Sequence, residues 1–249
     1  TSNTGVGLIS DVNIVQDLLY EYFDVDVVYL EWDIKNNTQQ PVFANYDVGI
    51  FIQEFGEQWL DRNKINILIA NEEWIVSEKL SKIKYFDKVI TKSTFAAQLL
   101  SPYNNNIVNT GFVSSDKNLD ITPTKQFLHL AGKSSQKGTE AVLKCFNKNK
   151  FNLTFLQSNK EFDNITSNIN HISEFIPSDD ILFNLNNHSI HLCPSIYEGW
   201  GHYLYEGMST GALIYATKIP MYVEWIDPEF IVFLDCNFCS NNDDYDFLK

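Results

Sequence analysis

The sequence predicts an α/β protein of two Rossmann-like domains, each a parallel sheet flanked by helices. Three observations predict this. Short apolar runs rich in β-branched residues recur along the 249 residues. Segments of helical length, with apolar residues three and four apart, lie between most of them. The same alternation restarts after a polar stretch, residues 114–125, which contains Pro123. Alternating strand and helix signals favour parallel strands, because each crossover needs a helix to carry the chain back.

In the first half, strands are expected at residues 25–30, 48–53, 65–70, 88–91 and 107–109. Helices are expected at 12–22, where Val12, Val15, Leu18, Leu19 and Tyr22 share a face, and at 95–100, which Pro102 stops. In the second half, strands are expected at 127–131, 153–157, 189–193, 212–216 and 231–234. Helices are expected at 139–146, 179–185 and 202–209. The boundary falls at 118/119, giving domains 1–118 and 119–249 of ordinary size. Residues 237–249 read as an acidic, polar tail.

Composition narrows the partners. There are 32 acidic against 18 basic residues, a formal net charge of −14. A nucleic-acid partner is not expected, since that affinity comes mainly from Lys and Arg neutralising phosphates. Four cysteines in a chain of this length make no disulfide framework. Cys236 and Cys239 lack a second pair or a histidine at metal-ligand spacing, so no metal site is expected. No apolar run reaches membrane-spanning length, and no basic segment followed by an apolar run opens the chain. A cytoplasmic protein without a transmembrane segment is expected.

Open parallel sheets bind ligands where strands end and helices begin. Four turns meet that description: 5–7, 71–74, 132–138 and 195–202. The last is the richest. The stretch EGWGHYLYE spans Glu198 to Glu206 and follows a buried-type strand that Pro194 ends. Gly199 and Gly201 allow close backbone folding. A helix starting near His202 offers free amides and a dipole that favour an anion. Glu198 before the helix and Glu206 one turn inside it can reach different parts of one elongated ligand. At 132–138, Gly132, Lys133 and Lys137 form a basic turn that can neutralise a phosphate. It is not a P-loop, whose Lys directly precedes Ser or Thr at the helix start. Glu72, Glu73 and Trp74 read either as acidic first-turn residues or as a ligand-facing surface on which Trp74 offers a flat apolar face. Gly7 closes a glycine turn before the first helix. His129 and His191 lie in apolar strands and read as core residues.

The segment CPSIYEGWGHYLYEGMSTGALIYATKIPMYVEW, residues 193–225, resembles the donor-binding segment of retaining GT-B glycosyltransferases, with their E-x7-E motif. HLAGKSSQKG (129–138) resembles that family's basic turn, FDKVITKSTFAAQLL (86–100) a late strand and helix of its N-terminal domain, and NTGF (109–112) the turn before its linker. The resemblance implies two domains facing a cleft and a nucleotide-diphosphate sugar donor. Glu206 would bind the ribose hydroxyls and Glu198 would face the sugar. The amides around Gly201, His202 and Tyr203 would hold the diphosphate, with Gly132 and Gly7 close to it. Lys133 and Lys137 would stabilise the leaving diphosphate, so no metal and no separate cofactor is implied. A carbohydrate or glycan-type acceptor would meet Glu72, Glu73 and Trp74. Where the family often has Pro-Glu, this chain has Val223-Glu224. Two alternatives stay open: a nucleotide-sugar binding module without transfer activity, and a sugar-nucleotide epimerase.

Overall fold

The structure is a computed structural model, and it describes residues 6–28, 32–33, 38–39, 45–53, 55–158 and 160–235. The chain divides into two compact units between Val113 and Ser114, ahead of the 118/119 boundary expected from composition. The reason is local: Ser114 and Lys117 hydrogen-bond to His202 and Ser209 of the second unit. The expected tail at 237–249, and Cys236 and Cys239, lie outside the described residues.

The first unit runs α1 (Val6–Leu19), β1 (Trp32–Asp33), β2 (Thr38–Gln39), β3 (Tyr46–Ile52), β4 (Asn63–Ile69), α2 (Ser77–Leu80), β5 (Lys88–Thr91), α3 (Thr94–Leu100) and β6 (Ile107–Asn109). Strands β3, β4, β5 and β6 lie side by side in that order, all parallel. Its core gathers Leu68, Val89, Leu100, Ile83, Phe55 and Phe86. Two expectations need correction. Helix α1 starts at Val6 rather than Val12, so Gly7 sits in its first turn and not in a loop before it. Leu8, Val12 and Val15 continue the apolar spacing backwards, and one glycine costs a helix only about 1 kcal/mol. Residues 25–28 form no strand, since Asp26 interrupts a run already bounded by Asp24.

The second unit runs β7 (Thr124–Gly132), α4 (Thr139–Phe146), β8 (Leu153–Gln157), β9 (Ile169–Ile172), α5 (Ser178–Asn187), β10 (His188–Cys193), α6 (His202–Ser209), β11 (Leu213–Thr217), α7 (Pro220–Trp225) and β12 (Ile231–Leu234). The strand order is β12-β11-β10-β7-β8-β9, with every neighbouring pair parallel. The chain therefore builds outward from β7 through β8 to β9. It then returns to place β10 on the other side of β7 and builds outward again. The direction reverses between β7 and β10, which makes their carboxyl ends the binding crevice of such a sheet.

Strand β8 is buried along its whole length, as expected of a strand covered on both faces. Leu204 of α6 packs with Ile214, Ala216, Tyr222 and Ile231, and Val142, Leu143 and Phe146 of α4 pack with Leu153 and Phe155. Sequence reading missed β9 because its run, INHI, alternates weakly. Helix α7, which no sequence expectation covered, opens on Pro220, and proline fits the first helical position. Among the described residues no helix is long and apolar enough to cross a membrane.

His129 and His191 are buried in β7 and β10. His129 bonds the Leu192 carbonyl and the Thr139 hydroxyl, both at 2.9 Å, and His191 bonds the Leu185 and His188 carbonyls, both at 3.0 Å. Burial pushes both imidazoles down from 6.5 to about 4. Their folded values lie below their unfolded ones, so the unfolded chain binds more protons in this window. Stability is complete above pH 6.5 and falls as pH drops toward 4, by about 1.4 kcal/mol per pH unit for each histidine. Urea denaturation at pH 7 and pH 5 should show this slope, and His129→Asn should reduce it by one histidine's share.

Candidate functional site

The site grows from two turns at the reversal point. Strand β7 ends on Gly132, in the left-handed region at φ 57°. In the turn that follows, the Ser134 hydroxyl accepts from the Gln136 amide at 3.1 Å. Gln157, at the end of β8, donates to the Ser134 carbonyl at 3.1 Å. Gly138, at φ 70°, ends the turn and starts α4. A Cβ on Gly138 would lie 2.2 Å from the Pro194 carbonyl oxygen, so this turn touches the one after β10. The Ile196 amide donates to the Gln136 carbonyl at 2.8 Å and ties the two together.

The second turn runs from Pro194 to Gly201. Ser195 is fully buried, and the Thr217 hydroxyl donates to its carbonyl. Gly201 stands at φ 84°, and a Cβ there would come 2.3 Å from the Tyr222 hydroxyl. Only glycine meets both demands, which explains why α6 starts where it does. No side chain caps α6. The Ser114 hydroxyl accepts from the Trp200 indole at 3.0 Å and bonds His202 Nδ1 at 2.8 Å. Trp200 stacks on Tyr205, with centroids 4.4 Å apart.

Between these turns lies a charged cluster. The Lys137 ammonium donates to Glu198 Oε1, and the Ser195 hydroxyl donates to the same oxygen. Ser195 also meets the Tyr203 hydroxyl at 2.6 Å. The Lys137 ammonium sits 3.9 Å from the centroid of the Tyr203 ring. The Lys137 and Glu198 side chains are only 17% and 12% exposed. Burial pushes the Tyr203 phenol well up, and nearby Cys193 and Glu198 add to that. Glu206 lies one turn on, 3.8 Å from the Lys117 ammonium. Burial raises its carboxyl, while Lys117 and His202 pull the other way.

The structure thus joins Lys137, Glu198 and Tyr203 directly, with Gly132, Gly201 and His202 on the same two turns. Lys133 is exposed on the β7 turn. Ser195, Lys117 and Tyr222 are additions. Ser195 follows Pro194 at the strand end and was within reach of sequence reading. Lys117 lies 89 positions before Glu206 in the sequence, and no spacing rule links them. Glu224 is exposed on α7. Among the described residues, no three His, Cys, Asp or Glu side chains gather as a metal site would need.

In the first unit Glu72, Glu73 and Trp74 make a single 3-10 turn after β4 rather than the start of a longer helix. Glu72 is buried and Trp74 is 51% exposed. Asn71 does not cap this turn; its amide donates to Asp11 and Gln53, each at 3.2 Å. Asp11 in turn pairs with buried Lys92 at 2.7 Å, and Lys92 sits 4.3 Å from the Phe112 ring centroid. Gln53 reaches this cluster with a positive φ of 67°. These contacts link positions up to 81 residues apart and left no sequence signal.

No protein-family model matches the sequence, and no curated protein does. Solved structures do match. The crystal structure of TarM superposes with a TM-score of 0.58 at 12% identity, over 76% of this chain and 44% of that one. The pneumococcal O-GlcNAc transferase GtfA, in complex with UDP and GlcNAc, gives 0.55 at 12% identity, over 71% and 43%. Sucrose-phosphate synthase from Thermosynechococcus elongatus gives 0.53 at 11% identity, over 68% and 54%. The chain spans about half the length of the structures it matches. At these identities the likeness is one of fold: α/β with parallel sheets, as in GT-B glycosyltransferases.

Gly201→Ala should therefore be costly, adding left-handed strain to a clash with Tyr222. About 2–4 kcal/mol is expected. Gly211, at φ 75° with nothing within 4 Å of a would-be Cβ, carries the strain alone, so Gly211→Ala should cost only about 1–2 kcal/mol. Urea denaturation of both variants checks the difference.

Proposed function

We propose that this chain is a glycosyltransferase. It transfers a sugar from a nucleotide-diphosphate donor to an acceptor hydroxyl, with retention of configuration. One observation carries the reading: the reversal between β7 and β10 sets the Gly132–Gly138 turn against the turn that leads into α6. That crevice offers what an elongated, doubly charged ligand needs. The α6 amides of His202 and Tyr203 and the lysines of the first turn meet the diphosphate. Glu206, one turn inside α6, accepts hydrogen bonds from ribose hydroxyls. Glu198, before the helix, faces the sugar. Lys133 and Lys137 stabilise the negative charge that grows on the leaving diphosphate, so the reaction is assigned to side chains and backbone without a metal or cofactor.

The fold likeness to glycosyltransferases supports the class of reaction. GtfA is named in complex with UDP and GlcNAc, and the donor type proposed here is of that kind. The acceptor, a carbohydrate or glycan, is assigned to the carboxyl end of the first unit's sheet, where Trp74 presents an exposed ring beside Glu72 and Glu73. Gly7, inside α1, is left out of the donor contacts. The compartment assigned is the cytoplasm.

A thermal-shift screen against nucleotide-diphosphate sugars tests the reading, since a ligand held only by the folded state raises the melting temperature. A rise with one donor class is expected. No rise with any donor would remove the proposal. On the donor so identified, Glu206→Ala should weaken nucleotide binding by about 1.5–3 kcal/mol, read by calorimetry. Because Glu206 binds as the carboxylate and burial raises its protonation range, affinity should begin to fall at a higher pH than an ordinary glutamate would give. Lys133→Ala should leave the fold intact and slow transfer by roughly 100- to 1000-fold, read as nucleotide diphosphate released with acceptor present.

A further inference from the structure

Two residues assigned to opposite parts of the donor are bonded to each other. Lys137, assigned to the diphosphate, donates to the Glu198 carboxylate, assigned to the sugar. A lysine has one charge centre, and a phosphate oxygen arriving at it competes with the carboxylate already there. The surroundings of the two partners differ. Glu198 is steadied by the Ser195 hydroxyl, whose other contact is the Tyr203 phenol. Lys137 rests on the Tyr203 ring face, 3.9 Å from its centroid. A ring face attracts a cation without occupying its N–H donors as a carboxylate does. The ring contact can therefore persist while the carboxylate is exchanged.

We infer that the Lys137–Glu198 ion pair is a resting stand-in for the donor diphosphate. Tyr203 is the positioning residue that keeps the Lys137 ammonium in place while it changes partner. The exchange is ionic and breaks no covalent bond. Lys137 gives up one carboxylate oxygen and takes a phosphate oxygen. Glu198, freed of its counter-ion and still accepting from the Ser195 hydroxyl, becomes available beside the position assigned to the sugar. This inference rests on the donor-site reading above. It gives that reading an order of events, because Glu198 is available to the sugar only once the diphosphate has engaged Lys137. It also reverses a simple expectation. Removing a donor-site charge usually weakens a ligand, yet neutralising Glu198 should strengthen binding of a bare diphosphate.

Inorganic pyrophosphate is the probe, titrated by calorimetry into the folded full chain. Glu198→Gln should bind it about three- to tenfold more tightly than wild type, because the competing charge is gone. Glu198→Ala, which removes the same charge without putting an amide in its place, should shift affinity the same way. It also serves if Glu198→Gln does not fold. Tyr203→Leu should move the other way, about three- to tenfold weaker, by losing the ring face. Unchanged or weaker pyrophosphate binding in Glu198→Gln, or in Glu198→Ala where Glu198→Gln does not fold, would overturn the exchange. So would tighter binding in Tyr203→Leu. The transferase reading is tested separately by nucleotide sugars. If they raise the melting temperature while Glu198→Gln leaves pyrophosphate affinity alone, only the exchange falls. If Glu198→Gln tightens pyrophosphate and no nucleotide sugar binds, the exchange stands and the transferase reading falls.

Discussion

Everything at the candidate site depends on one contact, that of Gly138 with the carbonyl of Pro194. It fixes how close the turn after β7 comes to the turn after β10, because any side chain at 138 would strike that oxygen at 2.2 Å. The 2.8 Å bond from Ile196 to Gln136 then locks the register between the two turns. Lys137 stands next to Gly138 and Glu198 stands two residues past Ile196. Their meeting is a consequence of that register. A parallel sheet supplies the larger frame, since only the pair of strands at the reversal has helices leaving in opposite directions and so leaves a crevice between its turns.

The cluster built there is buried charge held by its own partners. A lysine and a glutamate this far from water lose hydration, and their mutual attraction offsets that cost only while both are present. The Tyr203 ring and the Ser195 hydroxyl share the work of holding them. Glu206 stands differently. Its nearest cation, Lys117, is 3.8 Å away, beyond a good hydrogen bond, so its carboxyl is governed by burial first. One carboxylate is thus held by a close ion pair and the other is comparatively loose.

Much of this was legible in the sequence where local chemistry decides. Helices α4 and α6 and strands β5, β6, β8 and β12 fall where apolar spacing put them, because each is long enough or apolar enough to be read alone. The two turns were legible because glycine, proline and charged residues cluster there. What failed did so for physical reasons. The strand expected at 25–30 has an apolar composition but acidic residues at 24 and 26, and its described part forms no ladder. Gly7 reads as part of a glycine turn, yet neighbouring apolar residues carry α1 through it. The Lys137–Glu198 pair and the Asp11–Lys92 pair bring together residues 61 and 81 positions apart. Such pairings depend on strand order, which no local pattern encodes.

The proposed function requires the crevice between the β7 and β10 turns to receive a diphosphate-bearing ligand. Hydrogen exchange of the folded chain, with and without a saturating nucleotide-diphosphate sugar, tests it most directly. Slowed exchange confined to the Gly132–Gly138 turn and to the backbone from Ser195 through the first turn of α6 is the predicted result. Protection elsewhere, with those two turns exchanging as fast as in the free protein, would contradict it.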